Sequence, residues 1–439
     1  MSLIFKAFIG FLSFIILLLS LIAELIIITE KVFYSKPDYT QVSKNDEINS
    51  RINQSENNIV NVLEEKVING QKITSLSKTG WTTTQDNFIF NPKLINPSTT
   101  IANSFFSRFS LNKYRYKKWD AYCFVSKNYA GTFAVFNFNY LGGVLFHLTK
   151  INDPTFEVIT YKKLDPRILP EIPDICNKVG SNEMECTGGL TDTQIKNYFS
   201  TGNEKINNFS TYRNSNKNHI ITFAYSNEET GFSVEFDVKL QGKDLDSIVT
   251  LTPMIEDGSL FYFNNKSYGL KPTGKIKINK EEISTKDFHF TYDAGRGAWP
   301  LKSGWVWVSI GGETKNKETF SFNSGHGFTH HSAKFTEDCF FIKGKLYKLY
   351  NLKYNYSENL NEHGLKNIQL ISQETEKKEF CDLTFHITKE KNTTVNVILG
   401  EIIFHVSYGF ITGSCFDDKG KEYEIEYATG IMENKLSLW

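Results

Sequence analysis

The stretch FHFTYDAGRGAWPLKSGWVWVSI, residues 288–310, decides the fold because it carries the period of a β-strand. From Trp305 to Ile310, tryptophan or serine alternates with valine or isoleucine. Successive side chains of a strand point to opposite faces, so this alternation predicts one aromatic face and one aliphatic face. A face that combines aromatic rings with N–H and O–H groups suits the lining of an apolar cavity, and equally the core of a barrel.

The same stretch contains an acidic and a basic residue within a glycine-rich segment. Asp293 precedes Arg296 by three residues, and Gly295 and Gly297 flank the arginine. Glycine permits tight turns, and a carboxylate and a guanidinium at this range can form a charge-assisted pair. We therefore predict an Asp/Arg turn, which is either a structural clamp or one edge of a ligand site. The residues predicted to bind a ligand are Arg296, Trp299, Trp305 and Trp307.

Three residues are candidates for acid–base catalysis if that site is an active site: Asp293, His289 and His326. A metal site is not predicted, because His326, His330 and His331 lie in a glycine-flanked loop with no carboxylate to complete a ligand set. The chain also lacks phosphate-binding and dinucleotide-binding motifs, so no cofactor is expected.

Composition limits the classes of partner. The 439 residues have a formal net charge of zero and are 40% hydrophobic. Binding to nucleic acid needs an excess of basic charge, so nucleic acid is not an expected partner. The chain is long enough for one large β domain or two of ordinary size.

The N-terminal region differs from the rest of the chain. Residues 7–29, AFIGFLSFIILLLSLIAELIIIT, are almost entirely apolar. A membrane-spanning helix needs about 20 such residues, whereas the apolar part of a signal peptide is about 7–15 residues long. We predict a transmembrane anchor over residues 1–30, with a cleaved signal peptide as the alternative. The polar segment 31–79 follows, and its apolar residues have helical spacing, which predicts a membrane-proximal helix or stalk.

From residue 80 onward the patterns are those of β-strands. Residues 231–240, GFSVEFDVKL, alternate strictly between apolar and polar side chains. Short strands separated by Gly, Asn or Asp turns favour an antiparallel sandwich or barrel. We divide this body into a first β-barrel half, residues 80–272, and a second half, residues 273–439, which contains the Asp/Arg turn. Cys176 and Cys186 flank one loop, and whether they form a disulfide stays open.

Several motifs resemble those of one family. DAGRGAWP, residues 293–300, resembles the D-W-G-R-G-x-W-P motif of domain-of-unknown-function family 2804. KKWDAYCFV (117–125), FYFNNKSYGLKPTGKIKI (261–278) and FNSGHGF (322–328) are similar to further motifs of that family, in the same order. The resemblance covers roughly residues 80 to 439 and excludes the predicted anchor and stalk.

The resemblance implies a mainly antiparallel β body made of two packed lipocalin-like barrels or sandwiches. Such a body is similar to carotenoid hydratases and lipocalin-like Diels–Alderases, which work on apolar ligands. Ala294 stands where the family usually has tryptophan, and His326 where it has tyrosine. The family has no settled activity, so the resemblance assigns no catalytic residue.

Together these patterns favour a membrane-anchored β protein that binds an apolar, lipid-like or isoprenoid-like ligand. Two other classes stay open: an isomerase, cyclase or hydratase acting on an apolar substrate, and an accessory subunit of a membrane protein complex. The expected partners are a lipid bilayer, contacted through residues 7–29, and an apolar small molecule or a membrane complex. The anchor predicts a single-pass membrane protein. The sequence does not indicate which membrane it enters or in which orientation.

Overall fold

The structure is a computed structural model, and it describes residues 49–52, 60–68, 71–91, 115–139, 141–164, 169–173, 185–200, 202–214, 216–300, 302–327, 335–350, 352–372, 380–397 and 400–438. The predicted membrane segment, residues 7–29, lies outside these ranges. Within them, every helix is too short or too polar to cross a bilayer.

Strands account for most of the described chain, and they fall into two groups along the sequence. The first group is β1 (Val60–Asn61), β2 (Leu63–Ile68), β3 (Gln71–Leu76), β4 (Gly80–Thr82), β5 (Phe88–Ile89), β6 (Tyr116–Val125), β7 (Tyr129–Asn137), β8 (Gly142–Lys150), β9 (Asp153–Leu164), β10 (Glu185–Gly189), β11 (Glu204–Asn214), β12 (His219–Asn227), β13 (Ser233–Gln241), β14 (Ser247–Pro253), β15 (Phe261–Ile278), β16 (Glu281–Ile283) and β17 (His289–Ala298). The second group is β18 (Lys302–Glu313), β19 (Thr319–His326), β20 (Cys339–Ile342), β21 (Lys345–Lys348), β22 (Leu352–Leu360), β23 (Lys366–Ser372), β24 (Phe380–Val397), β25 (Gly400–Phe416) and β26 (Glu422–Leu438). A short helix, α1 (Asp192–Gln194), continues into a π-helical turn, Ile195–Phe199.

Two large antiparallel sheets organise these strands. The first follows the order β10-β11-β12-β13-β15-β17-β6-β7-β8-β9, with β14 and β16 paired to β15 and β4 paired to β14. The second follows the order β21-β20-β19-β18-β26-β25-β24-β23-β22. The predicted mainly antiparallel β fold is therefore confirmed, with a sheet curled into a half-barrel.

The alternation seen in the sequence matches the burial of the strands. Along β13, buried and exposed residues alternate from Ser233 to Gln241, as the pattern predicts. In β18, Val308 and Ile310 enter the hydrophobic cluster of the second sheet, whereas Trp305 and Trp307 face the first sheet. A hydrophobic cluster thus covers one face of each large sheet, and another hydrophobic cluster lies between the two sheets.

The helix predicted within residues 31–79 is wrong for residues 63–68 and 71–76, which are strands. β2 and β3 form an antiparallel hairpin there, with Leu63 opposite Leu76. Val60, Val62 and Leu63 pack against the first sheet, so burial on the body outweighs the helical spacing of the apolar residues. The boundary expected at residue 272 falls inside β15, and the change from the first sheet to the second comes between β17 and β18.

The cysteines include a disulfide that spacing did not reveal. Cys381 and Cys415 stand directly opposite each other on β24 and β25 and are bonded. Cys186 is also disulfide-bonded, and Cys176 lies outside the described residues.

Candidate functional site

A cavity of about 230 Å³ lies between the two large sheets. Strands β6, β7, β8, β15 and β17 supply one wall, and β18, β24, β25 and β26 supply the other. The hydrophobic cluster of each sheet lies on its opposite face, so the cavity occupies the contact between the two sheets. Most of its lining is aromatic or aliphatic, which suits an apolar ligand.

Four aromatic side chains of the lining pack against one another. The rings of Trp119 and Tyr262 stack with their centroids 5.6 Å apart. Trp299 meets Trp119 edge-on at 5.4 Å and Trp305 edge-on at 5.6 Å. Trp307 lines the same cavity from β18. Edge-to-face ring pairs contribute about 0.5–1.5 kcal/mol beyond their buried area, so this wall is held in place before any ligand binds.

The predicted Asp/Arg turn is wrong, because this segment is the regular strand β17. Residues three apart in a strand point to opposite faces, which separates Asp293 from Arg296. Arg296 instead pairs with Asp120, at 2.8 Å between Nη2 and Oδ1, and does not belong to the cavity lining. Gly295 serves close packing: an added Cβ would lie 2.1 Å from the Trp119 ring.

The carboxyl group of Asp293 lines the cavity and is 8% exposed. Its Oδ1 atom has no hydrogen-bond partner within the described part of the chain, although the side chain also accepts a bond from Trp119. Burial raises the pKa of Asp293 to about 7; Lys266 opposes the rise, and Glu337 and Glu433 add to it. Near neutral pH this carboxyl can therefore either donate or accept a proton, which general acid–base catalysis requires.

Two further ionisable side chains stand two residues apart on β26. Glu433 and Lys435 both line the cavity, and the Nε1 atom of Trp305 donates to Glu433 Oε2 at 3.4 Å. Burial raises the pKa of Glu433 and lowers the pKa of Lys435 well below its usual range. On the facing wall, Lys266 donates to Glu337 Oε1 at 2.6 Å. The apolar lining thus encloses several groups that can exchange protons.

A hydrogen-bonded chain of three side chains also reaches the cavity. Tyr408 donates from Oη to His147 Nδ1 at 2.6 Å, and His147 Nε2 lies 3.2 Å from Glu157 Oε1. Burial lowers the pKa of His147, so its ring is neutral and Nε2–H donates to the carboxylate. The tyrosine comes from the second sheet and the other two residues from the first. This chain links a cavity hydroxyl to a partly exposed carboxylate.

The two histidine candidates lie elsewhere. The Nε2 atom of His289 is 3.1 Å from Lys271 Nζ, and burial together with that charge lowers the pKa of His289 to about 3. His326 pairs with Asp338, at 3.2 Å between Nε2 and Oδ2. Neither histidine belongs to the cavity lining, and His330 and His331 lie outside the described residues. The cavity therefore brings together Asp293, Trp299, Trp305 and Trp307, but not Arg296, His289 or His326.

Replacing Tyr408 with phenylalanine is expected to lower the free energy of unfolding by about 1–3 kcal/mol. The change removes the donor to His147 and leaves a buried acceptor without its partner. Urea denaturation measures the effect. Tyr427→Phe is the matched control, since the bond that this hydroxyl donates to Lys127 O is exposed and long, at 3.4 Å. Equal effects of the two substitutions would contradict the described hydrogen bond.

One family model and several solved structures are similar to this chain. The family model of the domain of unknown function DUF2804 matches residues 75–439. No curated protein matches the sequence significantly. Among solved structures, CghA in complex with Sch210972 is similar, with 9% identity, 78% of this chain and 95% of that chain covered, and a TM-score of 0.45. Kievitone hydratase from Nectria haematococca is similar over 73% of this chain and 88% of that chain, with 11% identity and a TM-score of 0.37.

Proposed function

The chain belongs to the domain of unknown function family DUF2804, and on that premise we propose that it binds an apolar small molecule between its two sheets and exchanges a proton with it. The observation that carries this proposal is the Asp293 carboxyl, which faces an aromatic cavity with one oxygen unpaired among the described residues. If Asp293 had only a structural role, both of its carboxyl oxygens should be hydrogen-bonded, because a buried polar atom without a hydrogen bond destabilises the fold.

Proton exchange with an apolar molecule fits a limited set of reactions. Isomerisation, cyclisation and hydration of such molecules can each begin with transfer of a proton to or from carbon. Asp293 would make that transfer inside walls that exclude water, where a positioned acid or base acts with full effect. Glu433, on the facing wall, is a second carboxyl of raised pKa, kept so by burial. A pair of this kind can divide the roles of acid and base.

The family motif itself does not contradict this proposal. Ala294, which stands where the family usually has tryptophan, lies in the hydrophobic cluster of the first sheet and is not part of the cavity lining. The position of that tryptophan is therefore separate from the inter-sheet cavity.

We propose that each curled sheet is one half of a lipocalin-like pair. We also propose that residues 7–29 anchor the chain in a bilayer from which an apolar ligand can enter. An anchor of this composition is long enough to span the hydrocarbon core. An accessory-subunit role is less well supported, because the contact between the sheets is hollow.

The proposal is tested with 5-nitrobenzisoxazole, a small apolar probe whose ring opens when a base removes its C3 proton, releasing a coloured phenolate. Binding is measured first, by quenching of tryptophan fluorescence, since Trp119, Trp299, Trp305 and Trp307 line the cavity. We expect ring opening that rises with pH to a half-maximum near 7, and its loss in Asp293→Asn. Glu235→Gln is the matched control, because that carboxylate lies on the exposed face of β13.

Two results would count against the proposal, each against a different part. Binding of the probe with equal turnover by the wild type and Asp293→Asn would contradict the acid–base role and leave a ligand carrier. No binding of this probe, or of any apolar compound recovered with the protein from native membranes, would contradict the ligand site itself.

A further inference from the structure

Lys266 lies directly opposite Asp293 in the first sheet. The two residues are register partners on β15 and β17, and both line the cavity. Directly opposed residues of an antiparallel pair have their Cβ atoms about 4.5–5.5 Å apart. Lys266 is 1% exposed, so its amine is enclosed together with the carboxyl. The cavity thus presents a basic side chain next to the carboxyl that exchanges protons in the proposed function.

Two neighbours hold the amine of Lys266 in place as an ammonium ion. Its Nζ atom donates to Glu337 Oε1 at 2.6 Å and lies 4.5 Å from the ring centroid of Trp307. A carboxylate and the face of an aromatic ring both favour a cation. These neighbours are fixed in turn, because Asn264 Nδ2 donates to Glu337 Oε2 at 2.6 Å and Trp307 Nε1 donates to Asn323 Oδ1 at 2.9 Å.

The ammonium ion has hydrogen-bond donors left for a ligand. An ammonium group carries three N–H donors. Within the described part of the chain, Glu337 is the hydrogen-bond acceptor of Nζ, and Asp293 is not an ion-pair partner of it. Lys266 and Asp293 therefore stand side by side without pairing, and a small polar group of a ligand can lie against both.

We propose that the cavity takes an apolar ketone or aldehyde, whose carbonyl oxygen accepts a hydrogen bond from Lys266 while Asp293 exchanges a proton with the adjoining carbon. This inference rests on the proposed function, since it names the substrate class of the same cavity. The carbonyl end of the ligand lies between β15 and β17, and its apolar body lies against the aromatic wall of the cavity.

A carbonyl group makes the adjoining C–H bond acidic enough for a carboxylate to act on it. The electron pair that the proton leaves behind moves onto the carbonyl oxygen, which becomes an enolate oxygen. A hydrogen bond from an ammonium ion strengthens as that negative charge develops. Lys266 therefore stabilises the transition state more than it stabilises the bound ketone, which is the condition for catalysis.

The step balances without any further reactant. The Asp293 carboxylate takes a proton from the carbon next to the carbonyl group, and the C–H bonding pair becomes a carbon–carbon double bond as the carbonyl π pair moves to oxygen. In the reverse step the carbon takes a proton back from Asp293 and the carbonyl double bond forms again. No oxidation or reduction occurs, and Lys266 keeps its protons throughout.

The experiment uses 2-decanone, an apolar ketone, with the full-length protein in heavy water. Incorporation of deuterium next to the carbonyl group is followed by proton NMR. We expect catalysed exchange in the wild type, its loss in Asp293→Asn, and a rate about 100-fold lower in Lys266→Met, the usual effect of removing one donor to a developing oxyanion. Excess 1-decanol, which has the same chain length but no carbonyl group, should suppress the exchange.

Lys277→Met is the matched control. Lys277 lies on the same strand, β15, and pairs with Glu235 at 3.0 Å outside the cavity, so its loss should leave the exchange rate unchanged. The charge of Lys266 also lowers the pKa of Asp293, so each variant is compared at a pH on its own plateau. Equal plateau rates for the wild type and Lys266→Met would overturn the inference, because Lys266 would then act only on the ionisation of Asp293.

A measurement on the wild type does not depend on the folding of any variant. The carbonyl stretching frequency of bound 2-decanone, labelled with carbon-13 at the carbonyl group, should be lower than in hexane, because a hydrogen bond weakens the carbon–oxygen double bond. An equal frequency would overturn the inference. Lys266→Met with Glu337→Gln removes both charges of the ion pair and should abolish the lowering, even if Lys266→Met alone fails to fold.

Tryptophan fluorescence separates this inference from the proposed function. Quenching by 2-decanone, together with ring opening of 5-nitrobenzisoxazole but without catalysed deuterium exchange, would contradict only the carbonyl substrate class. No quenching by either 2-decanone or 1-decanol would contradict the proposed function as well.

Discussion

Replacing Arg296 with alanine is expected to lower the free energy of unfolding by about 3–5 kcal/mol, the usual cost of removing one partner from a buried ion pair. Arg296 is 1% exposed and donates to Asp120 Oδ1 at 2.8 Å and to the carbonyl of Pro173 at 2.6 Å. Its removal leaves the carboxylate of Asp120, itself 1% exposed, with Arg213 as the remaining cation at 3.3 Å.

Denaturation in urea measures this loss, and an exposed ion pair gives the control. Lys277 and Glu235 form such a pair at 3.0 Å, with both side chains substantially exposed, so Lys277→Ala should cost about 0–1 kcal/mol. Arg296→Lys keeps the charge but not the planar fork and should fall between the two. A loss for Arg296→Ala as small as that for Lys277→Ala would show that the buried cluster does not form.

The buried cluster also predicts a pH dependence. Burial by itself raises the pKa of Asp120, but the charges of Arg213 and Arg296 outweigh it, and the net pKa lies below the usual value. A carboxylate whose folded pKa is depressed stabilises the fold above its unfolded pKa and loses that contribution as pH falls. The difference in free energy of unfolding between the wild type and Arg296→Ala should therefore become smaller as the pH falls.

Asp293→Asn is expected to have the opposite effect on stability. The pKa of Asp293 is raised by burial to about 7, whereas an aspartate in an unfolded chain titrates near about 3.9. Between these values the folded state holds more protons than the unfolded state, so the free energy of unfolding falls as pH rises from about 4 to about 7, by about 4 kcal/mol in total. Asparagine cannot ionise and escapes this loss.

The stability of Asp293→Asn relative to the wild type should therefore increase from about pH 4 to about pH 7 and stay constant above. Thermal or urea unfolding across this range measures the gap. Asp338→Asn provides a control of opposite sign. Burial raises the pKa of Asp338, but the charges of His326 and Lys348 outweigh burial and lower the pKa overall. The free energy of unfolding that is lost in Asp338→Asn should therefore increase as pH rises. Parallel curves for the wild type and Asp293→Asn would contradict the dry environment of Asp293.

Period-two patterning was sufficient to predict the strands and the aromatic face of β18. Alternation is a local property, so Ser233–Gln241 and Trp305–Ile310 could be assigned to strands without knowledge of their neighbours. It could also place Trp305 and Trp307 on one side of a strand. It could not say whether that side faced a core, a solvent layer or a hollow, since this depends on which sheet packs against it.

The interpretation of the glycines as turn residues failed for a physical reason. The ring of Trp119, which lies more than 170 positions earlier in the chain, occupies the space that a side chain at position 295 would need. Only glycine fits there for that reason. Such long-range packing leaves no local signal. Lys117 is likewise only 1% exposed, and nothing in its local sequence indicates that it is buried.

Much of the polar lining of the cavity was also beyond sequence reasoning. Glu433, Lys435 and Tyr408 lie on β25 and β26 with ordinary alternating neighbours. Their burial follows from the packing of the second sheet on the first, and His147 joins Tyr408 only across that contact. Asp293 was the exception, because its place in the glycine-rich segment DAGRGAW, directly before the tryptophan strand, singled it out in the sequence.

The most direct measurement is a carbon-13 titration of the Asp293 carboxyl, assigned by its absence from the spectrum of Asp293→Asn. We expect a midpoint near 7, and a change in that midpoint when 1-decanol fills the cavity next to the carboxyl. A midpoint of about 3.9 is the value of a solvated aspartate. That midpoint, if 1-decanol also left it unchanged, would contradict an apolar ligand cavity with a proton-exchanging carboxyl.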